Sequence, residues 1–403
     1  MSVTSAAAAS PFARIHGAGP TGLLTALALA DAGWRVELLD PVPAERLLER
    51  SRAYALTHSS QRLLERLGLW SALEPRLVPF RRLELWDLAL HQRVPFSVAD
   101  LRQRRAAGPA VGWIAQHQPL LSLLLERAAA LPAISLQLGS AAAAPLQAGR
   151  PQPDLHQAGL PQPDLLVAAD GPQSSIREAL GIGVWQRPYR QNCLTAQVEL
   201  RGTEPDQAWE LFRPEGPFAV LPLGGNRIQL VWSAPERRCR QLERLDATGF
   251  LDALAGALPS RFQPDALLDA PRAVPLQLLL ARRLHRGQAV LVGESAHRCH
   301  PVGGQGLNLC WRDVAVLHRL AARAAAGSLP LERLPAAYGR RRWPDLIVTL
   351  ACTDLLVRLF SNRAPLLLPL RRLILALLAR LGLLRRLSLA VMTDGLAETL
   401  ALP

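Results

Sequence analysis

Lysine is absent from these 403 residues, so every one of the 46 positions in the Lys+Arg count is arginine, set against 33 acids. With histidine neutral the chain carries +13, and a charge of that size points to an anionic partner: nucleic acid, a membrane surface or a phosphate-bearing cofactor. Aromatic residues are scarce too. Three tyrosines and eight phenylalanines, with no basic stripe interleaved among them, make nucleic acid the weakest of the three. The five cysteines, Cys193, Cys239, Cys299, Cys310 and Cys352, are odd in number, widely spaced and without a Cys-x-x-Cys pair. That argues against a disulfide framework or zinc site and for reduced thiols in a cytoplasmic setting. The first ten residues lack a basic segment followed by a long apolar run, so no signal peptide is expected. His297 and His300 flank Arg298 and Cys299 without a second ligand cluster elsewhere, so no metal is expected.

What is present is apolar bulk and glycine in particular places. At 49% hydrophobic the chain can bury one large or two fused cores in one to three domains. Its most informative stretch is Gln288 to Asp313. Gln288 to Val292 reads as a buried strand and Leu307 onward as a helix, with Gly303, Gly304 and Gly306 between them. Glycine lets backbone approach a ligand closely, and a helix starting just beyond offers unpaired N–H groups and the positive end of its dipole. Such a bend suits a planar ring that becomes negative on reduction, although a Gly-rich turn capping a helix has the same composition.

Near the N-terminus Arg14-Ile15-His16 leads into Gly17-Ala18-Gly19-Pro20-Thr21-Gly22. A helical segment, Leu23 to Ala32, follows, then a strand from Trp34 to Leu39 ending at Asp40. Strand, GxGxxG, helix, strand, acid is the order of a dinucleotide-binding βαβ unit. Arg14 and His16 are unusual in a strand that should be buried. Ser51 to Trp70 begins extended and becomes an amphipathic helix, with Arg52 placed to meet a phosphate or a ring. Arg82 to Leu90 and Arg93 to Val98 alternate like paired strands; an Arg-rich loop follows, and then Gly112 to Ala130 runs into a Leu-rich helix. Ala141 to Pro163 is low in complexity and proline-rich, with PQPDL at 151 to 155 and 161 to 165, and reads as a surface excursion. Asp164 to Ala169 is a buried-strand pattern stopping at Asp170-Gly171, the place where open α/β sheets hold ligands. Alternating strands at Cys193 to Leu200, Ala208 to Phe212, Phe218 to Leu223 and Arg227 to Ser233 mark a second, antiparallel sheet. Arg240 to Leu258 reads as one helix, and Val274 to Leu280 as a strand returning to the first domain.

Between Leu331 and Arg386 eleven arginines face three acids, interleaved with runs such as Leu366 to Leu370 and Leu373 to Leu378. Arginines 371, 372 and 380 interrupt any twenty-residue apolar span, so a transmembrane helix is not expected. Two readings remain: helices lying in a lipid headgroup region, or a helical cap on the first domain with solvated arginines.

Taken together, GAGPTG with Asp40, Ser51-Arg52-Ala53, Asp170-Gly171 and Gly293 through Gln305-Gly306-Leu307-Asn308 resemble the FAD-dependent aromatic hydroxylases of the para-hydroxybenzoate hydroxylase fold. Within that group the chain is most similar to the ubiquinone-biosynthesis hydroxylases. Ala208 to Phe212, Gly216-Pro217 with Leu221-Pro222-Leu223, His300-Pro301, Thr353-Asp354 and Phe360-Ser361-Asn362 carry that narrower likeness. The resemblance implies an α/β fold in which a Rossmann-like, glutathione-reductase-like FAD-binding domain (1–80, 105–183 and 270–330) is interleaved with an antiparallel-sheet substrate domain (81–104 and 184–269). An Arg/Leu-rich helical region, 331–403, follows.

It further implies that Gly17, Gly19 and Gly22 hold the FAD pyrophosphate, Asp40 the adenosine ribose, Arg52 the phosphate or flavin side, and Gln116 a position near the adenine or ribityl chain. Asp170 and Gly171 serve FAD and the transient NAD(P)H donor. Gly293 and Glu294 approach the ribityl chain, with Glu294 replacing a common Asp or Asn. Pro301, Gly303, Gly304, Gln305, Gly306, Leu307 and Asn308 line the isoalloxazine, with His300 as a polar neighbour; Cys310 replaces a usual glycine. The implied reaction passes oxygen from a flavin C4a-hydroperoxide to a phenol ring, the phenol being a prenylated intermediate of quinone biosynthesis. Val302, Leu221, Pro222 and Leu223 supply a dry wall, and no general base is evident. An isoprenoid epoxidase or reductase of the same fold, or a non-catalytic membrane-associated scaffold, are the competing expectations; the absence of Trp-x-Trp disfavours a flavin halogenase.

Overall fold

A computed structural model describes residues 10–49, 51–101, 110–139 and 161–395. Most of the low-complexity excursion and the Arg-rich loop after Val98 lie outside these residues. Three sheets organise the described chain. The first has six strands in the order His285–Arg286, Ala289–Leu291, Leu165–Ala168, Phe12–His16, Arg35–Asp40, Ile134–Leu138, parallel throughout except for the hairpin at its 285–291 edge. Its central strands are buried, and helices Pro20–Asp31 and Gln305–Ala325 belong to the same core, which is why Leu165–Ala168 and Ala289–Leu291 read as continuous apolar runs.

Arg14 keeps its place in that buried sheet because Glu37, on the neighbouring strand and in register with it, takes its guanidinium. His16 is held neutral, its pKa pushed down to about 4 by burial and by the Arg14 charge, with Glu37 opposing.

The second sheet has nine strands, almost wholly antiparallel. Its long central strand, Val184–Arg201, pairs with Arg227–Pro235, Arg272–Ala281 and Gln263–Leu267; Phe218–Pro222 and Gln207–Phe212 continue it. The hairpin Arg82–Asp87 and Gln92–Ser97 joins it through a parallel pairing with Gln207–Phe212, so a segment far upstream completes this sheet. A third, small sheet sets Ala53–Leu56 and Val78–Phe80 on either side of Gly112–Gln116. Arg240 to Leu258 is two helices rather than one, Glu236–Glu243 and Ala247–Ala255. The second starts where the Asp246 carboxylate accepts the Gly249 N–H at 2.9 Å, a cap that outcompetes helix continuation.

The C-terminal region is helical: Leu334–Phe360, Leu368–Arg380 and Gly382–Asp394. No helix among the described residues is long and apolar enough to cross a membrane. Its docking onto the second sheet is ionic as well as apolar. Arg371 is 1% exposed and donates to Asp87 on the Arg82–Asp87 strand, while Arg385 donates to Asp100 at 2.8 Å. The sequence left open a cap on the first domain with solvated arginines; the last helices pack instead on the second sheet, and Arg371 is buried because Asp87 pairs with it. The outer face of these helices is taken up below.

Candidate active site

Parallel strands deliver their carboxyl ends to one edge. In the first sheet Ala289–Leu291, Leu165–Ala168, Phe12–His16 and Arg35–Asp40 are consecutive neighbours. At or just beyond their ends lie Gly293 and Glu294, Asp170 and Gly171, Gly17 to Gly22, and Asp40, the last residue of its strand. Four stretches spanning positions 17 to 294 of the chain thus meet at the rim where open α/β sheets bind ligands. Arg177 ties two of them together, donating to the Ser295 carbonyl at 2.9 Å and to the Pro172 carbonyl at 3.0 Å.

The glycines at this rim divide into those that close the turn and those that leave room. A Cβ on Gly22 would lie 1.7 Å from the Gly17 carbonyl oxygen, and one on Gly17, whose φ is +104°, would lie 2.3 Å from the Ala169 oxygen. Around Gly19, Gly171 and Gly306 a Cβ would meet nothing within 4 Å. Open space in front of glycine backbone at a helix start is what a pyrophosphate needs. The Asp170 carboxyl is consistent with a polar ligand: Oδ2 accepts from Ile176 N–H and Ser175, but Oδ1 is buried with no partner. Burial raises its pKa, against hydrogen bonds from its own turn.

The residues present therefore fit a bound dinucleotide. Residues 13–344 match the family described as FAD binding domain. The chain belongs to that family, whose cofactor is FAD. It is 35% identical over 384 residues to ubiquinone hydroxylase UbiL of Rhodospirillum rubrum, covering 93% of this chain and 87% of that protein. It is 32% identical over 380 residues to the 3-demethoxyubiquinol 3-hydroxylase of Escherichia coli, covering 92% and 95%. Among solved structures, PqsL of Pseudomonas aeruginosa in complex with 2-aminobenzoylacetate overlays with a TM-score of 0.72 at 23% identity, over 88% of this chain and 97% of that one.

In this FAD-family member the other expected site residues fall into three groups. Arg52 and Gln116 come together because Ala53 pairs with Gln116 and the His117 N–H donates to the Arg52 carbonyl at 2.7 Å. With Glu49, Ser51, His117 and Gln197 they line an open cleft of about 480 Å³. Arg52 is exposed to this cleft although protein surrounds it on most sides, with its guanidinium 5.5 Å from the Tyr54 ring centroid.

Asp40 and Asn308, by contrast, are spent inside the protein. Asp40 accepts the Ala18 N–H at 2.6 Å and the Val42 N–H at 2.8 Å, so it shapes the Gly17–Gly22 turn itself. Asn308 Oδ1 accepts from the Thr57 backbone and from the Ser60 hydroxyl, and its Nδ2 donates to the carbonyls of Ala55 and Gly304. Its work is to clamp Ala55 to Ser60 against the glycine turn.

The turn itself, Pro301 to Gly304, has Gly303 and Gly304 both in the left-handed region, at φ of 70° and 63°. Gln305, Gly306 and Leu307 open the following helix, and Gln305 Nε2 donates to the carbonyls of Gly303 and Met392. Behind it lies a buried ionic network. Asp313 accepts from the Gly293 N–H at 2.8 Å, from His297 Nε2 at 2.7 Å and from Arg342 at 2.6 Å, and Arg342 also reaches Asp345. Burial alone would raise the Asp313 pKa, but His297 and Arg342 outweigh it and lower it. Cys310, where the family resemblance leads one to expect glycine, packs against Gly293 and Thr21 on the buried side of the helix.

Two side chains near the turn were undervalued by sequence reasoning. His300 is fully buried; its Nδ1 accepts the Val302 N–H at 3.2 Å, its Nε2 has no partner, and burial takes its pKa down to about 3. Glu210 sits in the buried strand Gln207–Phe212 of the second sheet, and its Oε2 accepts the Gly303 N–H at 3.2 Å. The available signal was a carboxylate inside the apolar run Ala-Trp-Glu-Leu-Phe, whose alternation puts Glu210 on the same face as Ala208 and Phe212. That face belongs to an apolar cluster containing Val302, Leu223, Phe360 and Leu389, with Leu221 packed against it.

Proposed function

We propose that this chain hydroxylates the aromatic ring of a prenylated phenol in quinone biosynthesis, with NAD(P)H and O2 as cosubstrates. The observation that carries this reading is the convergence of the Gly17–Gly22 turn, Asp170-Gly171 and Gly293-Glu294 on one sheet edge, beside a glycine turn backed by an apolar cluster. The printed functions of the R. rubrum and E. coli relatives support the quinone assignment.

In this reading Gly17, Gly19 and Gly22 receive the pyrophosphate, with Asp40 fixing their turn. Arg52 and Gln116 meet the cofactor from the cleft, Asp170, Gly171 and Glu294 approach its polyol chain, and Pro301 to Asn308 underlie the ring. FAD, when bound, accepts hydride from NAD(P)H and activates O2 for transfer to the substrate ring. The unpaired N–H groups at the start of Gln305–Ala325, with the positive end of that helix, favour negative charge at the turn by up to ~2 kcal/mol in a partly buried setting. Val302, Leu221 and Leu223 exclude water. The FAD-binding and substrate domains divide, on this reading, near the boundaries given by the sequence, with Glu210 and Gly303 meeting across them; the exception is Arg272–Ala281, expected to return to the first domain, which instead pairs with Val184–Arg201 and stays in the second sheet.

The helices Leu368–Arg380 and Gly382–Asp394 are proposed to rest on an anionic membrane, from which a long-tailed substrate enters. Oxygen-dependent NAD(P)H oxidation stimulated by a prenylated phenol is expected from the purified protein, and loss of one quinone intermediate step from a deletion strain. Stimulation by an isoprenoid alkene but by no phenol, or an unchanged quinone-lipid profile in that strain, overturns the assignment.

A further inference from the structure

We propose that Glu210 is the proton acceptor for the ring hydroxyl of the substrate, held against the flavin-side glycine turn by the Gly303 N–H. The proposal rests on the hydroxylase reading above and adds to it the one group which that reading lacks.

Glu210 is 6% exposed, yet among the described residues no arginine or histidine pairs with it, and its only hydrogen bond is the one from Gly303. In a protein with 46 arginines, the other buried acids of the described residues are each better matched, Asp87, Asp100, Asp313 and Asp345 to arginine and Asp40 to two backbone N–H groups, so that isolation is distinctive. An unpaired buried carboxylate costs stability and has no structural need for its charge: a leucine would fill the same strand face, as Leu85 does on the neighbouring strand. Its place is also specific. Ala208 and Phe212 flank it on the same face, Val302 adjoins the residue it binds, and the cluster they belong to is otherwise apolar.

The titratable groups around it are Cys193 and Tyr189 on the central strand of its sheet, and His300 at the turn, whose ring centroid lies 5.1 Å from that of Tyr189. Burial raises the thiol and the phenol and lowers the imidazole, so all three are uncharged near neutrality. Burial also pushes Glu210 up to about 7, with the Gly303 hydrogen bond opposing, which matches a base that must both take and release a proton at physiological pH. In the step assigned to it the phenol O–H bond breaks, the electron pair stays on oxygen, and the proton moves to a Glu210 carboxylate oxygen. The resulting phenolate enriches the ring for attack by an electrophilic oxygen. The proton returns to solvent when product leaves.

The test uses the full-length holoprotein with 2-geranylphenol as probe, reading product formed and NAD(P)H consumed. Glu210→Gln keeps size and the capacity to accept from Gly303. It is expected to retain bound FAD and NAD(P)H oxidation but to lower kcat/KM for hydroxylation about a hundredfold or more at pH 8; Glu210→Asp is expected to recover part of that loss. In the wild type kcat/KM is expected to rise with pH to a midpoint near 7, because the acceptor must be unprotonated, and that limb disappears in the Gln variant. If Glu210→Gln fails to hold FAD, the wild-type profile decides: no dependence between pH 5 and 8 overturns the assignment. A Gln variant with wild-type rate and profile overturns it while leaving the hydroxylase reading intact. A wild type inert toward phenols overturns both.

Discussion

Gly19 and Gly22 stand three positions apart in one motif but do different work. A side chain at Gly22 collides with the Gly17 carbonyl, where backbone rather than a flexible side chain would have to yield, whereas Gly19 faces open space. Gly22→Ala is therefore expected to destabilise the protein itself, by about 3 kcal/mol, with a lowered Tm in the presence and absence of FAD. Gly19→Ala is expected to leave the Tm of the FAD-free protein unchanged and to weaken FAD binding at least tenfold, read by flavin fluorescence. Equal effects of the two substitutions on the FAD-free protein would refute the division. Spacing alone made these glycines legible, because only a tight turn at a strand end needs them in that order. Glu210 was not legible as a functional group. A carboxylate within an apolar run is as compatible with an exposed edge strand as with a buried one, and only the parallel pairing with Arg82–Asp87 makes its strand internal. Arg14 was visible as an anomaly, yet its explanation, Glu37 in register on the next strand, depends on the pairing.

Among elements, the strands and the first helix of each half were readable from apolar runs bounded by glycine, since burial on both faces leaves little freedom in composition. What escaped was tertiary. The break at Asp246 inside an otherwise helical segment follows from a local cap, and the C-terminal helices declared their composition but not what they pack on. Their anchoring is concentrated at Arg371. Its guanidinium lies 5.4 Å from the Phe360 ring centroid and donates to Asp87, whose other oxygen accepts the N–H groups of Ala89 and Leu90. Arg371→Met removes one member of a fully buried pair and leaves a buried carboxylate uncompensated, a change that costs about 3 to 5 kcal/mol. Thermal unfolding is expected to show that loss, and limited proteolysis to cut first between Ser361 and Asp394. In the Arg371→Met, Asp87→Asn double variant much of the penalty is expected to be recovered; a double variant as unstable as the single one would locate the anchoring elsewhere.

At the scale of the whole molecule, the outer face of the same helices sets how the protein sits in its surroundings. Leu366, Leu370, Leu373, Leu377 and Leu381 recur at spacings of four, three, four and four, and all are exposed, from 38% for Leu377 to 91% for Leu366. Arg363, Arg372, Arg380 and Arg386 are exposed in the same stretch, and residues 361–393 contain no acid. A second copy of the chain laid on this stripe would bring arginine against arginine, whereas an anionic lipid surface accepts both the leucines and the charge. Each arginine near such a surface contributes about 1 kcal/mol. Wild-type holoprotein is expected to sediment with vesicles containing phosphatidylglycerol and to be released by salt. Arg372→Gln with Arg380→Gln is expected to weaken that binding roughly thirtyfold on the same scale. Leu373→Ser with Leu377→Ser is expected to abolish binding at an unchanged Tm, because both side chains are already outside the core. Turnover of 2-geranylphenol delivered in detergent should survive these substitutions, while turnover of a long-tailed phenol presented in vesicles should fall with binding. If the wild type ignores anionic vesicles and instead forms a dimer that the leucine substitutions dissociate, the stripe is a protein interface, and the substrate must reach the glycine turn by another route.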